Sequence, residues 1–162
     1  MPAPWRGLPV LTLTVDADPR LVGQLLGAVV TRPRGELAGH RYERLEAVSS
    51  TEAVVGFEVS ILGRDFSTTE RVVVDAGGIS FTQLTGSVPA IEERIDLTPA
   101  GLGTRVRYSG RFQCRPGLLA ALLEAPLVYT IYAFEGLKTL KAVKTAAEAR
   151  QAKSAMFRRA AS

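Results

Sequence analysis

Leu11-Thr12-Leu13-Thr14-Val15-Asp16-Ala17-Asp18-Pro19-Arg20-Leu21-Val22 decides the fold, because the period of the apolar residues changes within it. Leu11, Leu13 and Val15 alternate with Thr12 and Thr14, the two-residue repeat of a half-buried strand, which reads back to Leu8. Asp16 and Asp18 then offer acceptors for the unpaired N–H groups that open a helix, and Pro19 suits its first position. Leu21, Val22, Leu25, Leu26 and Val29 follow at helical spacing, so a strand runs straight into an amphipathic helix. Pro33 and Gly35 end that pattern, and a short loop or helical turn is expected up to His40.

Downstream, six apolar runs are separated by turn residues at short intervals: 42–48, 53–62, 66–74, 79–84, 88–97 and 104–114. Gly63-Arg64-Asp65, Asp75-Ala76-Gly77-Gly78 and Gly101-Leu102-Gly103 are among the breaks, so the runs form an antiparallel meander. The glycine pairs precede strands and not helices, which makes them hairpin turns and not phosphate loops. After Gly117 the spacing is helical again through Leu127, Ile131, Phe134, Leu137, Leu140, Val143 and Ala147, with Pro126 expected to kink or restart the helix. The sum is an α+β chain with seven strands, a small N-terminal helix and a long C-terminal one. One face of the sheet needs a cover, and only the C-terminal helix, through Ile131, Phe134, Leu137 and Leu140, is long enough. No internal repeat is visible, so residues 1–149 read as one domain and 150–162 as a basic tail, helical or disordered.

This order of elements resembles the Bet v 1-like helix-grip fold, and more closely the polyketide cyclase/dehydrase and START-like lipid-transport (SRPBCC) superfamily. The resemblance is carried by Leu13-Thr14-Val15-Asp16-Ala17-Asp18-Pro19, by Gly103-Thr104-Arg105-Val106-Arg107-Tyr108 and by Phe134-Glu135-Gly136-Leu137-Lys138-Thr139-Leu140-Lys141. It spans about Leu8 to Ala149. It implies a curved sheet and long helix around an apolar cavity, used in the superfamily to bind lipids, quinones, steroids or polyketides and in some members to catalyse cyclisation. The chain departs from many members in lacking a Trp-containing segment after the first helix, where it has Arg32-Pro33-Arg34-Gly35-Glu36-Leu37-Ala38-Gly39-His40.

Composition excludes several chemistries. Among 162 residues there is one Cys and one His, too few for a disulfide, a Cys/His zinc cluster or a paired redox motif. No metal and no cofactor is expected. The formal charge of +4 is uneven: from Leu137 onward seven basic residues face Glu148 alone, a local balance of +6, so the first 136 residues carry −2. The body therefore offers no broad basic surface, and nucleic acid is not an expected partner. The basic end reads as a solvated helix face or as a weak contact with an anionic membrane surface. Nothing at the N-terminus reads as a targeting segment, and no apolar run reaches the length of a membrane span, so a cytoplasmic protein is expected.

Alternation places Val55, Phe57, Val59 and Ile61 on one face of their strand, and Val106, Tyr108, Gly110 and Phe112 on one face of the last. With Ile131 and Phe134 of the helix these are the expected inward residues, as packed core or as the wall of a ligand cavity. Glu93 shares a face with Ile91, Ile95 and Leu97, and a carboxyl in apolar surroundings resists ionisation, as a general acid or base requires. It is the one weak catalytic candidate; Glu70 and Gln83 are lesser polar lining candidates. His40 reads as a loop or entrance residue and Cys114 as buried. The expectation is a non-catalytic carrier or sensor of a small hydrophobic molecule. Its rivals are a cyclase or dehydratase using Glu93 or Tyr108, and a partner-binding module using the basic helix.

Overall fold

The computed structural model describes residues 3–61 and 63–160, without the side chains of Ala120 and Ala121. Leu62, the expected end of one strand, lies outside the described residues. The chain runs β1 (Arg6–Gly7), β2 (Leu11–Val15), α1 (Pro19–Thr31), β3 (Arg34–Leu37), β4 (His40–Ala47), β5 (Glu52–Ile61), β6 (Arg64–Asp75), β7 (Gly78–Thr85), β8 (Ala90–Ala100), β9 (Gly103–Gln113) and α2 (Leu118–Ala160). Strands β3 to β9 form a continuous antiparallel meander, and β1 and β2 both pair with β9 at the opposite edge.

The sheet has nine strands where seven are expected, and both additions have local causes. Pro9 has no N–H to give the ladder, so the expected strand from Leu8 splits into β1, pairing with Arg111 and Phe112, and β2, pairing with residues 104–108. The expected loop between Arg32 and His40 is instead a hairpin, in which Leu37 pairs with His40 across Ala38 and Gly39. Both turn residues have positive φ, 53° and 86°, the conformation that joins two strands in two residues.

Asp18 caps α1 by accepting a hydrogen bond from the Arg20 N–H at 2.7 Å, and Pro19 opens the helix. The far end is held by Arg44, which donates to the Val30 and Thr31 carbonyls at 2.9 and 3.1 Å. Val22, Leu26, Val29 and Val30 are buried against strands β4 to β9. The buried Thr104 hydroxyl donates to the Ala17 carbonyl at 2.7 Å and fixes the corner between β2 and α1.

Helix α2 has 43 residues and runs unbroken through Pro126, which is exposed, so its ring and the carbonyl it leaves unpaired lie on the solvent side. Its inward line differs from the expected stripe. Phe134 is 69% exposed and Leu137 also faces outward, while Ala125, Val128, Tyr132, Gly136, Leu140, Val143 and Ala147 turn toward the protein. Gly136 accounts for this rotation: a Cβ there would lie 3.0 Å from Leu11 Cδ1 and 3.1 Å from Tyr108 Cε1, so at the closest approach only glycine fits without displacing the ring. Further along, Lys144 donates to the Thr14 carbonyl at 2.8 Å and pairs with Glu148, whose carboxylate accepts from the Asp16 N–H. On the outer sheet face Arg94 bridges Asp75 and Asp96, and Arg111 pairs with Glu92. Among the described residues no helix is long and apolar enough to cross a membrane.

Candidate functional site

Between the inner sheet face and α2 lies a cavity of about 150 Å³. Alternation delivers its walls. Phe57, Val59 and Ile61 come from β5, Phe66, Thr68 and Glu70 from the facing positions of β6, Phe81 from β7, Glu93 and Ile95 from β8, and Tyr108 from β9. Helix α2 closes it with Ile131, Tyr132, Glu135, Gly136 and Thr139, and Leu37, His40 and the exposed Ser87 complete the rim. Phe57 touches Tyr42 and Phe81, ring centroids 6.2 and 6.1 Å away, the second edge to face. Such pairs hold the wall in shape.

Of the residues expected to face a ligand, Phe57, Val59, Ile61, Glu93, Tyr108 and Ile131 border this cavity. Val55 and Val106, both 0% exposed, and Phe112 at 1% are on the inner face but do not border it. They are packed core, Val55 because α1 covers that part of β5. Phe134 is turned to solvent by the rotation of α2. Gln83 is absent from the wall as well: it lies opposite Glu70 in the ladder, but its amide donates to the Val88 carbonyl at 2.8 Å and ties the β7–β8 connection.

The polar groups of the wall are few and mostly acidic. Tyr108 donates to Glu93 Oε1 at 2.6 Å, and Thr68 to Glu70 Oε1 at 3.1 Å. Burial pushes the Glu70 carboxyl up to about 8, the charge of Glu93 adds to the effect, and the Thr68 hydrogen bond opposes it. Burial raises Glu93 too, against the stabilising Tyr108 hydroxyl. Burial, followed by the Glu93 carboxylate, holds the Tyr108 hydroxyl far above its ordinary range, and Tyr132 is raised for the same reasons. Glu70 therefore keeps its proton at neutral pH. His40 at the rim lies 3.7 Å from Glu135 Oε2, and burial lowers its pKa more than that carboxylate raises it. Cys114 is buried and its thiol is pushed up by the same desolvation. Among the described residues no group of His, Cys, Asp and Glu could hold a metal ion.

Sequence reasoning did not reach Phe66, Thr68, Phe81, Ser87, Glu135 or Thr139, while Ile95 was placed on the inward face with Glu93. Those on strands were accessible in principle, since Phe66, Thr68 and Glu70 share a face by alternation and oppose Val59, Phe57 and Val55 in register. Glu135 and Thr139 carried no such signal.

This is a helix-grip architecture, a fold that solved structures of low sequence identity share. Solved structures of similar fold include the Zhui aromatase/cyclase from Streptomyces sp. R1128, with a TM-score of 0.70 and 23% identity over 91% of this chain and 96% of that one. A START superfamily protein from Mycobacterium smegmatis matches with a TM-score of 0.65 and 18% identity, covering 88% of this chain and 98% of its own. Major latex-like protein 151 from Panax ginseng matches with 0.62 and 14%, covering 88% and 97%. No protein-family profile matches the sequence, and no curated protein matches it.

Proposed function

We propose that this protein binds a small hydrophobic molecule in the cavity between the sheet and α2, as a non-catalytic carrier or sensor. The observation that carries the reading is an unfilled volume of about 150 Å³ walled mainly by Phe57, Val59, Ile61, Phe66, Phe81, Ile95 and Ile131 in an otherwise packed interior. Cores pack to crystal-like density, so such a space is not the default outcome of folding. An apolar cavity of this size holds roughly one benzene ring. A lipid or a multi-ring polyketide would exceed this space unless the cavity widened or part of the molecule stayed outside its mouth, so the space suits a single ring or one end of a longer molecule.

The test pairs native mass spectrometry of freshly purified protein with titration of a small apolar fluorophore. Saturable one-site binding is expected, and Val59→Trp should abolish it while costing little stability, because the added ring occupies free space. A stability loss of ~1–3 kcal/mol, the usual cost of overpacking, together with no wild-type binding, would identify a packed interior.

A second reading has its own observation. The Tyr108–Glu93 hydrogen bond beside a Glu70 carboxyl that stays protonated at neutral pH is the arrangement of a general acid in an apolar site. This favours a cyclase or dehydratase acting on a polyketide-like substrate, in line with the aromatase/cyclase among the similar folds. Glu93→Gln would then lower turnover by ~10²-fold or more, and an unchanged rate would remove the residue from the chemistry.

The basic end of α2 fits a weak contact with an anionic membrane surface. Met156 and Phe157, 71% and 66% exposed, sit one helical turn from Lys153, an apolar and basic combination suited to lying at an interface.

A further inference from the structure

We infer that the cavity selects a ligand carrying a protonated nitrogen, a small amine whose ammonium group meets the Glu70 and Glu93 carboxyls while its apolar part lies against Phe57, Phe81 and Tyr132. The inference rests on the ligand-binding reading above and names the class of ligand.

Charge complementarity carries it. Among the described residues, three carboxyl side chains border the cavity, Glu70 on β6, Glu93 on β8 and Glu135 on α2, and no Lys or Arg does. Among the same residues His40 on β4 is the only other group there able to become cationic, and the Tyr108 and Tyr132 hydroxyls add no charge at neutral pH. An anionic ligand would meet three acids, of which only Glu135 has a fixed cation beside it, Lys138, whereas an ammonium would meet acceptors on several sides.

Unmet acceptors point the same way. Tyr108 and Thr68 each occupy one oxygen of Glu93 and Glu70. Glu135 Oε2 is buried with no hydrogen-bond partner; the His40 ring, whose pKa burial lowers, lies 3.7 Å away, and Lys138 forms an ion pair with this oxygen at 3.6 Å. Carboxylates accept up to four hydrogen bonds and donate none, and an ammonium supplies three donors and accepts none. Rings of Phe57, Phe81 and Tyr132 on the same wall supply faces that attract an organic cation as readily as they accept its apolar part. The raised Glu70 carboxyl is the signature of a buried acid without a counter-ion. A bound ammonium would be that counter-ion, and its arrival should expel the proton that Glu70 holds.

Isothermal titration calorimetry with benzylamine, benzyl alcohol and benzoate, of similar ring size and different charge, tests this on the full chain. Benzylamine should bind roughly tenfold or more tightly than benzyl alcohol, the gain expected of a charge-assisted hydrogen bond, and benzoate weakest of all. At pH 7 its binding enthalpy should change with the ionisation enthalpy of the buffer, reporting proton release. Glu70→Gln should bring amine and alcohol to within about twofold and remove the buffer dependence, with circular dichroism confirming the fold. Equal binding of amine and alcohol by the wild type, or amine binding without proton release, would overturn the selection for a cation and leave the apolar cavity standing. No binding of any of the three, with none of the fluorophore either, would overturn both readings.

Discussion

The inner face of one sheet is treated in two ways along its length. Under α1, Val22, Leu26, Val29 and Val30 meet Val55, Val72, Ile79 and Val106, and each of these is at most 2% exposed. Under α2, the same strands present Phe57, Val59, Glu70, Phe81 and Glu93 to a helix that answers with Tyr132, Glu135, Gly136 and Thr139, and a cavity remains. Val55 and Val59 stand on the same face of β5 and fall on opposite sides of this divide. The difference lies in the side chains that both the helices and the strands bring to the space between them. Branched aliphatic side chains on α1 fill the space above the sheet, whereas Gly136 brings α2 close to β2 and β9 while the polar residues beside it leave the remainder unfilled.

The largest expected effect sharpens that contrast. Leu26→Ala deletes atoms from the packed region and should cost about 2–5 kcal/mol. Val59→Ala removes methyl groups that already border free space, and about 1 kcal/mol or less is expected from the lost burial. Urea unfolding of both variants measures this. Similar costs at the two sites would mean that the region under α2 is packed as tightly as the one under α1.

The packed half was also the more legible in sequence. Leu21 to Val29 recur at helical spacing beside a capping Asp18, and the alternation of β5 and β9 assigned their inward faces, because burial of a strand face writes itself as a two-residue period. Glu93 was readable as an inward carboxyl on the same ground. What stayed hidden depends on contacts distant in sequence. Phe134 looked like a buried stripe residue, but the phase of α2 is set by Gly136 against Tyr108 and Leu11, a steric fact that helix periodicity does not encode. The β3–β4 hairpin was obscured because Pro33 and Gly35 read as breakers, although its Ala38-Gly39 turn supplies the required positive φ values. That Glu70 and Glu93 share one cavity wall needs β6, β7 and β8 in register, which no local pattern supplies.

The two halves also differ in their response to pH. The folded-state pKa of Glu70 is raised from 4.5 to about 8, so the native protein holds a proton that the unfolded chain has released. Stability from this group is complete below pH 4.5, declines as pH rises through the window to about 8, and is flat above it. Relative to the wild type, Glu70→Gln should therefore gain stability by up to about 4 kcal/mol between pH 5 and 8.5. The packed half has no such group, so Leu26→Ala should shift stability equally at both pH values. Parallel pH profiles for the wild type and Glu70→Gln would place that carboxyl in water and remove the acidic character of the cavity.

The smallest effect on folding is expected where α2 leaves the body. Beyond Ala147 the helix is largely exposed, with Glu148 the last residue tied to the β2–α1 corner. None of the side chains of 150–160 is deeply buried, so deleting 150–162 should change stability by no more than about 0.5 kcal/mol. The deletion also removes Lys153 and Arg158 with the exposed Met156 and Phe157. If that end meets an anionic surface, sedimentation with vesicles of mixed phosphatidylglycerol and phosphatidylcholine should retain the full chain, release it as salt is raised, and fail to retain the truncated one. Both proteins should take up the apolar fluorophore equally, because the cavity lies between the sheet and residues 131–139. Equal vesicle binding by the two chains would assign any membrane contact to the body, and a loss of fluorophore uptake on truncation would show that the two ends of α2 are coupled.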